Sequence, residues 1–170
     1  MNSTVGNESA IKKMQDTIHR LRADIAVHPF CKGLRPEHLA ALAECAMETR
    51  FAPGELIFRE GEFANRFYFL LEGEVALEGR AKDGATPIEV IGAGDVLGWS
   101  WLYPPYYWHF HARALKPTRA IFFYGTWLRE HCHQDHDFAF EMLTRMAQIM
   151  IARLQATRMQ LSAALGRAPR

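Results

Sequence analysis

Residues 51–78 read FAPGELIFREGEFANRFYFLLEGEVALE, and the placing of the glycines in this stretch decides the fold. Gly54, Gly61 and Gly73 punctuate the short runs "ELIFR", "RFYFLL" and "EVALEGRA", none of them long enough for a stable helix. Glycine turns spaced in this way between runs of Phe, Tyr, Ile and Val specify short antiparallel strands. The pattern continues through Gly84, Gly92, Gly94 and Gly98 with "PIEVIG", "HFHARAL" and "TRAIFFY", joined by loops such as "EGEFAN" and "KDGAT". The segment from Thr49 to Tyr124 is therefore expected to form an all-β barrel or jelly roll.

Helical patterns flank it. Ile11, Met14, Ile18, Leu21 and Ile25 recur at steps of three and four, the stripe of an amphipathic helix that needs a partner surface. "RPEHLAALAECAM" predicts a second, short helix, with Pro36 in its first turn and Leu39, Leu42 and Met47 on its apolar side. Beyond Tyr124, "TWLREHCHQD" reads as a short helix capped at Thr126, and Asp137 to Leu165 as a long one. In the long helix Leu143, Ala147, Met150, Leu154, Thr157 and Leu161 form a heptad seam, and a helix of this length overhangs a small barrel. Two copies zipped along that seam are the expected arrangement. The expected organisation is thus a mainly β fold with flanking helices: an N-terminal helix over 1–28, a β-roll with short flanking helices over 29–136, a dimerisation helix over 137–165 and a tail over 166–170.

The totals narrow the function. At 170 residues and 49% hydrophobic, the chain is sufficient for one packed domain. Twenty basic against nineteen acidic residues leave a net charge of +1, so no overall field attracts nucleic acid or an anionic membrane. The start "MNSTVGNESAIKKM" lacks the apolar core of a signal peptide, and no run is long enough to span a bilayer. A soluble cytoplasmic protein is expected. Cys31, Cys45 and Cys132 lie far apart and form no CxxC pair, which predicts reduced, buried thiols.

The order helix, glycine-punctuated β-roll, long C-terminal helix resembles the cyclic nucleotide-binding domain family, the sensory half of catabolite activator-type (Crp/Fnr) regulators. The residues that carry the resemblance are those of 51–78 together with "IGAGDVLGW", similar to the entry of the family's phosphate-binding cassette, "ARAL" at 112–115, similar to its exit strand, and Phe123 beyond. The family's cassette is a Phe-Gly-Glu turn, a short helix, and an arginine followed by small residues. Glycine admits the phosphate to the backbone, helix-start N–H groups and arginine bind it, and glutamate holds the ribose hydroxyl. By resemblance Leu97 and Gly98 keep the Phe-Gly part, and Trp99 stands where glutamate belongs. Counting back from Arg113, Trp108 stands where arginine belongs, or His109 if the register slips by one. Neither is a permanently charged fork, and burying a cyclic phosphate without a cation is costly.

The candidate ligand-binding residues are accordingly Leu97, Gly98, Trp99, Ser100, Trp101, Trp108 and His109, around a turn whose N–H groups and Ser100 hydroxyl remain open to an anion. The aromatic side chains have two readings: they stack a flat ligand, or they fill the pocket themselves. His109, His111, His131, His133 and His136 with Cys132 raise a haem- or metal-linked sensor, as in gas-sensing relatives, but His131 and His133 lie two apart and share no helical face. No metal site is assigned. Glu72 and Glu74 read as a solvated sheet edge and Asp95 as turn chemistry; no nucleophile or phosphate-loop motif is present, so catalysis is not expected. After Leu165 too few residues remain for a helix-turn-helix, although Arg145, Arg153, Arg158, Arg167 and Arg170 make this end basic. The sequence thus predicts a non-enzymatic, homodimeric sensory module that does not take cAMP in the usual way, reads no DNA directly, and signals through another protein. A ligand-free structural adaptor is the alternative. No cofactor follows from the residues, and a cyclic nucleotide or other small ligand only from the resemblance.

Overall fold

The computed structural model describes residues 3–81 and 84–166. Lys82 and Asp83 of the "KDGAT" loop, together with Arg167 and Arg170, lie outside them, as does the side chain of Ile11. In chain order the elements are α1 (Ser3–Val27), a 3-10 turn (Pro29–Cys31), α2 (Pro36–Glu44), β1 (Ala46–Phe51), β2 (Leu56–Phe58), β3 (Arg66–Glu72), β4 (Glu74–Ala81), β5 (Gly84–Gly92), β6 (Val96–Leu97), a 3-10 turn (Trp99–Trp101), β7 (His111–Ala114), β8 (Thr118–Tyr124), α3 (Gly125–Gln134) and α4 (His136–Ala164).

The strands form two four-stranded antiparallel sheets, ordered β1-β8-β3-β6 and β2-β7-β4-β5, which is the expected jelly roll. Six strands lie where the glycine punctuation places them, and the structure adds two. Ala46 and Met47, read as the end of a helix, instead open β1, because the helix stops at Glu44 and the chain pairs with β8, Met47 opposite Phe122. Val96–Leu97, read as turn, pairs with β3. Gly84, Ala85 and Thr86, read as loop, belong to β5.

β3 organises the core. Tyr68 and Leu70 face between the sheets, where they join Phe58, Val75, Leu77, Ile91, Leu97, Trp108, Ala112 and Phe122 in one cluster. Phe67 and Phe69 face the other way and meet Phe123, Phe30 and Trp101. A strand covered on both faces reads as a continuous apolar run, as "RFYFLL" does. One residue turns β3 into β4: Gly73 has φ +94°, and a Cβ there would lie 2.5 Å from Thr118 Oγ1 and 2.6 Å from the Pro117 carbonyl.

The apolar stripe of α1 is only partly covered. Leu21 and Ile25 are buried, whereas Met14 and Ile18 are 58% and 42% exposed. The C-terminal end is held by Asp24, which accepts from Arg119 of β8 at 2.8 Å. Beyond it His28 is buried, stacks on Phe69 at 4.3 Å and 9°, and accepts the Phe30 N–H through Nδ1. Cys31 is buried as expected, but Cys45 and Cys132 are half-buried. Burial pushes the Cys45 thiol up to about 12 and the Cys132 thiol to about 11, so both are protonated at neutral pH.

The chain divides into two units, Met1–Glu130 and His131–Arg170. Thr126 is not the cap of α3: it sits inside the helix and its hydroxyl accepts from Arg129. The long helix starts where expected, capped by Asp135, whose carboxylate accepts the Phe138 N–H at 2.9 Å. No described helix is long and apolar enough to cross a membrane.

Burial holds the His28 imidazolium pKa below the ordinary value of 6.5, with the Leu70 and Asp95 carbonyls and the Asp95 charge offsetting part of that. The neutral ring is the folded form, so its stabilising contribution is complete above the ordinary value and is lost as pH falls below it. Urea unfolding of the wild type is expected to show stability falling between about pH 7.5 and about pH 5.5, and His28→Phe is expected to flatten that slope. An unchanged slope in a folded His28→Phe protein would exclude His28 as its source.

Candidate functional site

The cassette is entered through a tightly bonded loop. Gly94 N–H donates to the Leu70 carbonyl at 2.8 Å, Leu70 N–H donates to the Asp95 carbonyl at 3.0 Å, and the Asp95 carboxylate accepts the Gly92 N–H at 2.9 Å. Asp95 thus serves the turn, as its sequence predicts. β6 then pairs with β3, Leu97 opposite Tyr68, and ends at Gly98.

Gly98 has φ +87°, in the left-handed region, and opens the 3-10 turn Trp99–Trp101. A Cβ at this position would lie 2.9 Å from Trp108 Cη2 and 3.1 Å from the Arg66 carbonyl. The close neighbour of the glycine is therefore an indole edge. Trp108 is 4% exposed and stacks on Phe58 at 3.9 Å and 13°. Its N–H donates to the Glu62 carbonyl at 2.9 Å and its carbonyl accepts the Gly61 N–H at 2.8 Å, so the turn at 61–62 clamps the backbone that carries the ring.

The seven residues singled out from the sequence divide among three environments. Leu97 and Trp108 belong to the core between the sheets, with Gly98 against them. Trp101 lies on the far face of β3 beside Phe67, fully buried, with no acceptor for its Nε1–H; its carbonyl accepts from Arg129 at 2.6 Å. Trp99, Ser100 and His109 stay together: the Trp99 ring lies parallel to the exposed His109 ring at 5.8 Å, and the buried Ser100 Oγ is 3.2 Å from His109 Nδ1.

The histidine groupings do not form. His109 lies outside β7 and turns to Ser100, while His111 accepts the Glu60 N–H at 3.2 Å, so the two share no site. His131 packs edge-on against Phe138. Among the described residues no three His, Cys, Asp or Glu side chains are placed to hold a metal ion. Glu72 and Glu74, separated by the Gly73 turn, pair with different cations, Glu72 with Arg119 at 2.8 Å and Glu74 with Lys116.

One residue the sequence reading passed over is Arg66, at the start of β3. It lies two residues from Tyr68 and so on the same face, with its guanidinium 4.6 Å from the centre of the Phe122 ring. Burial raises the Tyr68 pKa, and the nearby Arg66 guanidinium opposes that rise. Arg66 Nε is buried with no acceptor. The available signal was an arginine in even register with Tyr68 and Leu70 on an otherwise apolar strand.

With this geometry in place, comparison with known proteins assigns the family. Residues 48–135 match the cyclic nucleotide-binding domain family, to which the chain belongs. Over 91 residues it is 29% identical to the CRP-like cAMP-activated global transcriptional regulator of Mycobacterium tuberculosis, covering 53% of this chain and 41% of that protein. Over 107 residues it is 31% identical to the cyclic nucleotide-gated channel alpha-4 of Mus musculus, covering 58% of this chain and 18% of the channel. The chain spans less than half the length of either relative. The crystal structure of a candidate cyclic nucleotide-binding protein from Geobacter metallireducens GS-15 superposes with a TM-score of 0.70 at 31% identity, covering 80% of this chain and 96% of that one. By their names these relatives bind or respond to cyclic nucleotides, as regulators or channels.

Gly98→Ala is expected to lower the unfolding free energy by about 2 kcal/mol or more, from left-handed backbone strain together with overlap on Trp108. Trp108→Ala is expected to cost about 3–5 kcal/mol through the cavity it leaves. Urea denaturation of the two variants measures both losses, and an undiminished Gly98→Ala protein would contradict the close approach.

Proposed function

We propose that this chain is a regulatory module of the cyclic nucleotide-binding fold in which Trp108 closes the cassette, so that cAMP is not bound in the family's usual way. The observation that carries this reading is the buried indole stacked on Phe58 with its edge against Gly98, at the position where the resemblance places arginine. A phosphate brought to Gly98 would meet an apolar ring in place of a cation, and its desolvation would go uncompensated. The module is non-enzymatic and cytoplasmic, and it passes its signal to another protein.

The module works as a homodimer through α4. On this 29-residue helix the stripe Leu143, Ala147, Leu154, Thr157 and Leu161 is exposed and Met150 half-buried, with Leu154 and Leu161 at 61% and 59% exposure. Its heptad spacing suits a second copy of the same helix, which would cover one continuous apolar seam. In sedimentation analysis the wild type is expected to be a dimer, and a Leu154→Glu, Leu161→Glu double variant a monomer with an unchanged β-sheet circular dichroism signature. A monomeric wild type would overturn the dimer.

Intrinsic tryptophan fluorescence tests the closed cassette, since three of the four tryptophans lie between residues 99 and 108. Titration with cAMP and cGMP is expected to leave the emission unchanged. A saturable shift on adding either nucleotide would overturn the reading.

A further inference from the structure

Among the described residues of the roll, Arg50, Arg59, Arg113 and Arg119 pair with carboxylates, and Arg66 on the inner face does not. Arg113 donates to Glu78 at 3.0 Å, and Arg119 donates to Asp24 and Glu72 at 2.8 Å each. No described carboxylate pairs with Arg66. Its guanidinium instead lies over Phe122, on the face of β3 that also carries Tyr68, and its Nε–H is buried without an acceptor. A guanidinium carries five N–H donors, and withdrawing one from water unpaired is unfavourable. The Phe122 face attracts the charge but accepts no conventional hydrogen bond.

The surroundings indicate what would complete it. Tyr124 stands opposite Arg66 in the register of β3 and β8, on the same face; it is 44% exposed and meets Phe122 edge-on at 5.3 Å. Arg66 itself is half-buried. The edge of the roll therefore offers a half-buried cation without a described carboxylate partner beside an accessible aromatic ring.

We propose that Arg66, Tyr68, Phe122 and Tyr124 form a binding site for a small aromatic anion, an aryl carboxylate or aryl phosphate. The acidic group takes the Arg66 donors, where a planar fork matches two oxygens, and the ring packs on Tyr124. The proposal rests on the reading that Trp108 closes the Gly98 side, which leaves β3 to supply the cation that position 108 does not.

The test is NMR titration of the dimer, following the Arg66 Nε–H resonance at constant ionic strength. Benzoate and phenyl phosphate are the probes, benzyl alcohol lacks the charge, and inorganic phosphate lacks the ring. Saturable shifts with at least one aryl anion are expected, together with affinity weaker by about tenfold or more in Arg66→Gln and partly restored in Arg66→Lys. No saturable shift in the folded wild type, or equal affinity in folded Arg66→Gln, overturns the site. Equal binding of inorganic phosphate and phenyl phosphate overturns its aromatic character. cAMP added to the same samples separates this site from the closed cassette: saturable cAMP binding that survives Arg66→Gln overturns the closed cassette, while the aryl anions still decide Arg66.

Discussion

β3 is apolar on both faces, and it can exist only if both are covered. Its inward side chains, Tyr68 and Leu70, require an opposing sheet, and the pairing of β4 with β5 and β7 supplies it. Its outward side chains, Phe67 and Phe69, require a lid, which is built from the segment that follows α1, through His28 and Phe30, and from Trp101 just after β6. The helix end, the cassette turn and the roll thus converge on one strand of seven residues. Burying large aromatic side chains is among the strongest stabilising terms available to a chain of this size.

That arrangement also divides the tryptophans of this stretch between the two faces of β3. Trp101 faces away from the inter-sheet core and Trp108 faces into it, although they are only seven positions apart, because Gly98 and the 3-10 turn send the chain across the edge of β3 before it returns beside Phe58. Both indoles are core elements of the roll. Trp99 and His109 remain at the surface as a stacked pair.

Much of the fold was legible because its signals are local. Glycine turns and the period of apolar residues depend on neighbours a few positions away, so six of the eight described strands and the four α-helices could be read directly. β1 and β6 could not, because each exists through a distant partner: Met47 is a strand residue because Phe122 lies opposite, and Leu97 because Tyr68 does. The packing of the candidate site residues was harder to read. Whether Trp108 lines a pocket or fills one depends on Phe58, fifty residues earlier, and that no described carboxylate meets Arg66 depends on residues distant in sequence. The histidine clusters failed for the same reason, since closeness along the chain did not become closeness in space.

The contact between Gly98 and Trp108 also bears on how such a chain can change over generations. A glycine in left-handed backbone tolerates few substitutions, and here the space a side chain would need is already taken by the indole. Position 108 is correspondingly limited to a residue that fills the gap beside Phe58 without pressing on position 98. The effect of a substitution at either position is therefore expected to depend on the residue at the other. A smaller residue 108 would free the space beside Gly98 and leave a cavity beside Phe58, so side-chain volume at one position sets what the other can hold.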